Sequence, residues 1–203
     1  MILAIDSATA ACSAALIEPG RGGGKVLDER YEVVGRGHAE RLLPMIADLL
    51  GGRRPDSILV DCGPGSFTGV RVGLAAAHGL AIGWGVPLAG YSSMAAVAAA
   101  CRAPHVTVAL QGGHGELFVQ SFGGDPLAPL DALRSLAPDA AAAAATAPLV
   151  AGSGAEAVAL LRAEGAWRDA LPRAADARLL AAYLRNLAPR PIYGRAPDAK
   201  PQP

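Results

Sequence analysis

The sequence predicts an α/β protein, and three observations carry that prediction. Short aliphatic runs of strand length alternate with longer segments whose apolar residues recur at helical spacing. Glycine or proline marks nearly every junction between them. Apolar residues make up 52% of the 203 positions, enough for a substantial core.

Taken in order, Ile2–Ile5 is a short apolar strand ending at Asp6, and a Ser-Ala-Thr-Ala turn leads to a second strand, Cys12–Ile17. Pro19–Gly24 is a glycine-rich hairpin loop before a third strand, Val26–Val34. His38–Leu50 is helical, with Leu42, Leu43, Ile46, Leu49 and Leu50 on one face, and Gly51-Gly52 stops it. Pro44 costs little only in the first turn; deeper, it removes a hydrogen bond and kinks the helix. Ser57–Cys62 is the fourth strand, Phe67–Trp84 the second helix, Pro87–Tyr91 a fifth strand and Ser92–Cys101 a third helix. The order β-β-β-α-β-α-β-α fills a first domain over residues 1–101.

The second domain, residues 102–203, has a weaker pattern. Val106–Leu110 and Leu117–Phe122 read as strands around a glycine-rich turn. Asp139–Ala147 is an alanine run, read as helix or spacer, and Leu149–Ala151 is a short strand before Gly152-Ser153-Gly154. Ala155–Glu164 and Asp176–Leu187 read as helices, and Pro189–Pro203 is proline-rich and extended.

Eighteen basic and eighteen acidic side chains leave no formal net charge, which argues against a stand-alone nucleic-acid binder. The three cysteines, Cys12, Cys62 and Cys101, are odd in number and far apart, as expected for reduced thiols in the cytoplasm. The N-terminus lacks the basic segment of a secretory leader, and no apolar run reaches the ~20 residues of a membrane helix.

The most specific stretch is Cys62-Gly63-Pro64-Gly65-Ser66-Phe67-Thr68-Gly69-Val70-Arg71-Val72-Gly73, a strand end, a tight loop and a helix start. Such a loop can present backbone N–H groups to an anion, or simply let a helix pack close to a sheet. The spacing favours the second role. A P-loop requires four residues between its glycines and then Lys-Ser or Lys-Thr, whereas three separate Gly65 from Gly69 and Val70-Arg71 follows. A dinucleotide fingerprint requires a glycine where Thr68 stands. Ser66 is not flanked as in a nucleophile elbow and reads as the N-cap of the second helix. His38, His78, His105 and His114 form no metal-ligand spacing.

Ile2-Leu3-Ala4-Ile5-Asp6-Ser7-Ala8-Thr9, His38-Ala39-Glu40-Arg41-Leu42-Leu43-Pro44, the glycine loop Gly63–Gly73 and Pro197-Asp198-Ala199-Lys200 together resemble the bacterial TsaB (YeaZ) family. That resemblance implies an actin-like ATPase fold of two ribonuclease-H-like lobes, with mixed sheets flanked by helices and the second lobe reduced. It also implies a cytoplasmic, non-catalytic subunit that uses no cofactor. Such a subunit serves the formation of threonylcarbamoyladenosine at position 37 of tRNAs reading ANN codons. It pairs with the catalytic paralogue TsaD, meets TsaE through that pair and tRNA only indirectly, and forms a homodimer when alone.

Actin-like ATPases hold a metal–phosphate group between two carboxylates. Asp6 matches the first by position; Gln111 stands at the second, so this pair marks a degenerate nucleotide site, since an amide coordinates a hard cation poorly. The paralogue's His-x-x-x-His pair is not reproduced, because Leu42 lies four residues after His38. Gly69, Gly73 and Ala77 fall four apart and leave a groove for a close helix crossing, either within the chain or with a partner. The expected interface with TsaD or a second copy comprises Leu42, Ile46, Leu49, Gly69, Val72, Gly73, Ala76 and Leu80. Arg185, Arg190, Arg195 and Lys200 form a basic C-terminal cluster, read as a solvated tail or a phosphate contact. Two other readings are a small actin-fold ATPase or kinase, which Gln111 opposes, and a protease-like metalloprotein, which the missing histidine pair opposes.

Overall fold

A computed structural model describes residues 1–194. Its first sheet contains β1 (Ile2–Asp6), β2 (Ala11–Glu18), β3 (Lys25–Val33), β4 (Ser57–Asp61) and β5 (Leu88–Tyr91), in the order β3-β2-β1-β4-β5. β1 runs antiparallel to β2 and parallel to β4, and β4 is parallel to β5. The central strands are buried on both sides, which is why β1 and β4 read as unbroken apolar runs and not as alternating ones.

Helices α1 (His38–Leu50) and α2 (Phe67–Trp84) cover one face of this sheet. Leu42, Ile46 and Leu49 of α1 and Val70 and Leu74 of α2 pack there with Leu3, Ile5, Ile58 and Val60. α3 (Ser93–Cys101) lies on the other side, where Met94 to Ala98 share one core with Val106, Val108 and Phe122 of the second sheet. A helix held between two sheets has no solvent face, and its run of alanines lets both sheets approach.

The second sheet has the order β11-β10-β6-β7-β8, with β9 also paired to β7. Its strands are β6 (His105–Gln111), β7 (Leu117–Gly123), β8 (Ala128–Pro129), β9 (Arg134–Leu136), β10 (Leu149–Ala151) and β11 (Ala166–Arg168). α4 (Pro138–Ala144) and α5 (Ala155–Arg162) pack against it through Ala141, Ala155 and Val158. The alanine run is therefore a helix, opened by Pro138 in its first turn.

Two expectations change. Pro44 lies in the interior of α1, on its solvent face, where the unpaired carbonyl one turn earlier meets water. The helix expected over Asp176–Leu187 is instead two short 3-10 turns, Ala174–Leu179 and Ala182–Arg185, with extended backbone between them. Tertiary hydrogen bonds override helix propensity here: Ala174 N–H donates to Ser13 Oγ at 2.9 Å, and Leu187 and Gly90 exchange backbone bonds of 3.0 and 2.7 Å. The chain continues as a strap across the first sheet, with Ile192 N–H bonded to the Cys62 carbonyl. Among the described residues, no helix is long and apolar enough to cross a membrane.

Candidate functional site

The glycine loop serves close packing. A methyl group on Gly65 or Gly69 would collide with the backbone carbonyls of Ala8 and Ser7, and one on Gly73 would lie 2.5 Å from Ser7 Oγ. Ser7 Oγ in turn donates to the Gly69 carbonyl at 2.9 Å. The loop and α2 are thus pressed against the β1–β2 turn. Ser66 caps α2 by accepting from Gly69 N–H at 3.2 Å. Ser66→Ala is expected to cost about 1 kcal/mol, read as a lower urea midpoint at unchanged slope.

This geometry corrects the expected interface. Gly69 and Gly73 face Ser7 of their own chain, and Leu42, Ile46 and Leu49 are sealed in the core beneath α1. Val72, Ala76 and Leu80 sit half-buried at its edge. The outer surface carries Ile82 on α2, 81% exposed and not singled out by periodicity, and Leu43 on α1, which the helical spacing places with the apolar face but which is 51% exposed. Beside them Gly79 and Gly83 have nothing within 4 Å of where a side chain would begin. α2 has only Thr68, Arg71 and His78 among otherwise apolar residues, so its hydrophobic pattern separates the buried face from the open one poorly.

Asp6 and Asp61 end the neighbouring parallel strands β1 and β4, whose register pairs Ile5 with Val60. Both carboxyls are almost fully buried, at 1% and 2% exposure. Asp61 accepts from Ser93 Oγ at 2.8 and 2.9 Å and from Gly63 N–H at 2.9 Å. Asp6 accepts from Ala8 N–H at 3.3 Å. Burial, reinforced by the adjacent Asp61 charge, pushes Asp6 well above the usual carboxylate range, so it keeps its proton and donates to Asp61. Burial also raises Asp61, to about 6. The sequence signal was present in two apolar strands that each end in aspartate; the strand order was needed to place them side by side.

Between the two sheets opens a cleft of about 1170 Å³. Its walls are the β1–β2 turn at Ala8–Ala10, the start of α2, the β6–β7 turn and the strap at Pro191–Gly194. Gln111 lines it, but Asp6 does not; the two candidate remnants of a nucleotide site do not share a surface. Among the described residues that line it there is no aspartate or glutamate.

The histidines remain dispersed. His38 is buried with Nε2 3.2 Å from the Ala11 carbonyl, and His78 lies 3.1 Å from the Pro189 carbonyl. No group of three or more His, Cys, Asp or Glu among the described residues is placed to hold a metal ion. Burial pushes the thiols of Cys12 and Cys62 up to about 11 and about 12, which leaves them protonated and unreactive. Of the basic cluster, Arg195 and Lys200 lie outside the described residues.

Comparison with known proteins places this architecture. A family model described as "TsaD: tRNA N6-adenosine threonylcarbamoyltransferase" matches residues 32–125. The tRNA threonylcarbamoyladenosine biosynthesis protein TsaB of Escherichia coli is 42% identical over 48% of this chain and 42% of its own length. TsaB of Haemophilus influenzae is 36% identical over 58% of this chain and 51% of its own. A Pseudomonas aeruginosa structure, described as an uncharacterized protein with similarity to peptidase YEAZ, is 30% identical, covers 96% of this chain and 99% of that one, and superposes with a TM-score of 0.81. The chain belongs to the TsaB (YeaZ) family. Its match spans about half the length of the two curated TsaB relatives. The ethanolamine utilization protein EutJ of Carboxydothermus hydrogenoformans covers 88% of this chain and 89% of its own at 14% identity, with a TM-score of 0.52. That likeness is one of fold alone, and it agrees with the actin-like, ribonuclease-H-like architecture of a TsaB-type chain.

Proposed function

We propose that this chain acts in tRNA threonylcarbamoyladenosine biosynthesis as a docking subunit, and that the outer face of α1 and α2 receives a TsaD-type partner. The observation that carries the proposal is the open side of α2: a helix of 18 residues, apolar but for Thr68, Arg71 and His78, that leaves Ile82 81% exposed and Val72, Ala76 and Leu80 half-buried, with Gly79 and Gly83 on the same open side. A contiguous apolar face of this kind marks an interaction surface. Gly79 and Gly83 allow a partner helix to approach closely.

The names of the relatives supply the pathway, and the matching family model supplies the kind of partner. In this reading the chemistry belongs to the partner, in keeping with a buried carboxyl pair that does not line the cleft. A second copy of the chain occupies the same face when TsaD is absent, and TsaE joins the assembled pair.

Co-purification with TsaD tests this. Ile82→Glu and Ala76→Arg are each expected to reduce recovery of the complex at least about tenfold, since each places a charge in a desolvated contact. Leu161→Glu, at an exposed position on α5, is the matched control. Undiminished recovery of both α2 variants, with their melting curves intact, would remove this face from the proposal. Reconstituted tRNA modification that proceeds equally well without the chain would remove the role.

A further inference from the structure

We propose that the strap, residues 187–194, is a brace that fixes the width of the cleft, so that the two lobes move as one body. The proposal does not depend on the docking face.

The strap touches both lobes in quick succession. It leaves the core shared by the two sheets just after Leu184. Leu187 exchanges its two backbone bonds with Gly90 and so extends the first sheet beyond β5. Ile192 N–H donates to the carbonyl of Cys62, just past β4, at 2.8 Å, and the Ile192 side chain packs on the core beneath α1 and α2. Two exposed side chains of α2 hold the strap from outside: His78 Nε2 lies 3.1 Å from the Pro189 carbonyl, and Arg71 donates to the Tyr193 hydroxyl at 3.1 Å. Gly194 then rests on the second lobe, where a methyl group in its place would lie 2.5 Å from Cδ1 of Phe118 on β7.

Reach is the first argument. Ile192 is bonded to the first lobe and Gly194 is packed on the second, with only Tyr193 between them. Extended backbone gains at most about 3.6 Å per residue, so this crossing spans roughly 7 Å at full stretch. Opening the cleft takes up that slack and must then break one of the two contacts.

Stiffness is the second. Pro189 and Pro191 have a fixed φ, and Pro189 is the centre of a tight turn closed by Arg190 N–H on the Ala188 carbonyl at 2.8 Å. Prolines limit the freedom that the strap gains on release, which favours the seated form. The seat is cut to fit: a side chain on Gly90 would begin 2.4 Å from Cys62 Sγ and 3.1 Å from the Ala188 carbonyl oxygen.

The opposite edge of the first sheet carries a matching tie. Arg173 pairs with Glu29 at 2.7 Å and lies 4.5 Å above the Tyr31 ring, both on β3, and Ala174 N–H is bonded to Ser13 of β2. Between the two ties, α3 packs against both sheets in a single apolar core. Lobes joined by a small polar interface move by default; these are fastened at both edges and share their interior.

Distances between paired spin labels test the brace, with Glu40→Cys on the first lobe, Glu164→Cys on the second and Cys101→Ala in the background; Cys12 and Cys62 are buried. The chain with its strap unaltered is expected to give one narrow distance distribution. His78→Ala combined with Tyr193→Phe removes two bonds at exposed positions. Gly194→Val drives the chain off Phe118. Each change is expected to broaden the distribution at least about twofold. Each should also speed exchange of the Ile192 amide at least about tenfold. Unchanged melting curves verify that the variants are folded, and the exposed pair supplies the result if Gly194→Val does not fold. A broad or two-peaked distribution in the chain with its strap unaltered overturns the proposal. So does a width that stays the same although the Ile192 amide has been freed, or an Ile192 amide whose exchange no folded variant changes.

Discussion

Gly69→Ala is expected to lower stability by about 2–3 kcal/mol, even though alanine is the better helix former by about 1 kcal/mol. The opposition arises because Gly69 lies in the first turn of α2, where a methyl group would run into the backbone carbonyl of Ser7. A backbone oxygen cannot rotate aside as a side chain can. The clash is relieved only by lifting α2 from the β1–β2 turn, which breaks the buried bond from Ser7 Oγ to the Gly69 carbonyl. Gly79 supplies the contrast. It sits in the same helix with nothing within 4 Å of its absent side chain. Gly79→Ala should therefore express the helix preference alone and raise stability by up to about 1 kcal/mol. For a chain of this size each kcal/mol corresponds to about 2–4 °C in melting temperature, so the two variants should separate by several degrees in opposite directions. Equal shifts would mean that α2 does not press on the turn. The Gly79 variant also probes docking, because a methyl group there enters the groove offered to the partner helix while leaving the free protein more stable.

These glycines show what could be read in the sequence and what could not. Their four-residue spacing announced a close crossing, but spacing is the same for a contact inside a chain and one between chains; only the position of Ser7 decides for Gly69 and Gly73. The first lobe was legible because β1, β2 and β4 are buried runs and α1 has an apolar stripe that is buried at Leu42, Ile46, Leu49 and Leu50, though not at Leu43. Leu42, Ile46 and Leu49 were correctly apolar, but periodicity cannot say that the sheet already covers them. α2 presents the opposite case, since a helix with only Thr68, Arg71 and His78 among apolar residues hides most of its exposed face. In the second lobe β9 and β11 are three residues each, and β11 is exposed on both faces, so no alternation marks them. Asp176–Leu187 reads as a helix and is instead two 3-10 turns, Ala174–Leu179 and Ala182–Arg185, anchored by bonds to β2 and β5 that no local window contains. The cleft was equally invisible, because residues such as Arg36 and Arg71 come from distant segments and line it together only in the folded chain.

The carboxyl pair leads to the other large effect. The folded state holds Asp61 at about 6 and Asp6 well above its ordinary value, whereas an unfolded chain releases both protons near the ordinary 3.8. Above pH 4 the folded form thus binds more protons than the unfolded one, and stability must fall as pH rises. The contribution is complete below pH 4, declines through about pH 6 as Asp61 ionises, and declines further as Asp6 follows. Asp28 acts in the opposite sense at the acid end: its bond with Arg30 holds it below the usual range, so its support is lost as pH falls. Wild-type protein is expected to lose on the order of 1–3 kcal/mol between pH 4.5 and 7.5 through the buried pair. Asp6→Asn should remove most of that loss. The amide keeps an N–H for Asp61, as the protonated carboxyl does, but it carries no proton to release and no charge to oppose its neighbour. Asp61 retains Ser93 and the Gly63 N–H, so the variant has its remaining partners in place. Urea denaturation across that pH range should give a flatter profile for Asp6→Asn, with the variant more stable than wild type at pH 7.5 and close to it at pH 4.5. Parallel profiles would mean that Asp6 contributes nothing to the pH dependence, its folded and unfolded proton affinities being equal. A flattened one would show that the joint of β1, β4 and α3, which sets the glycine loop against the β1–β2 turn, rests on a carboxyl kept neutral by its neighbour.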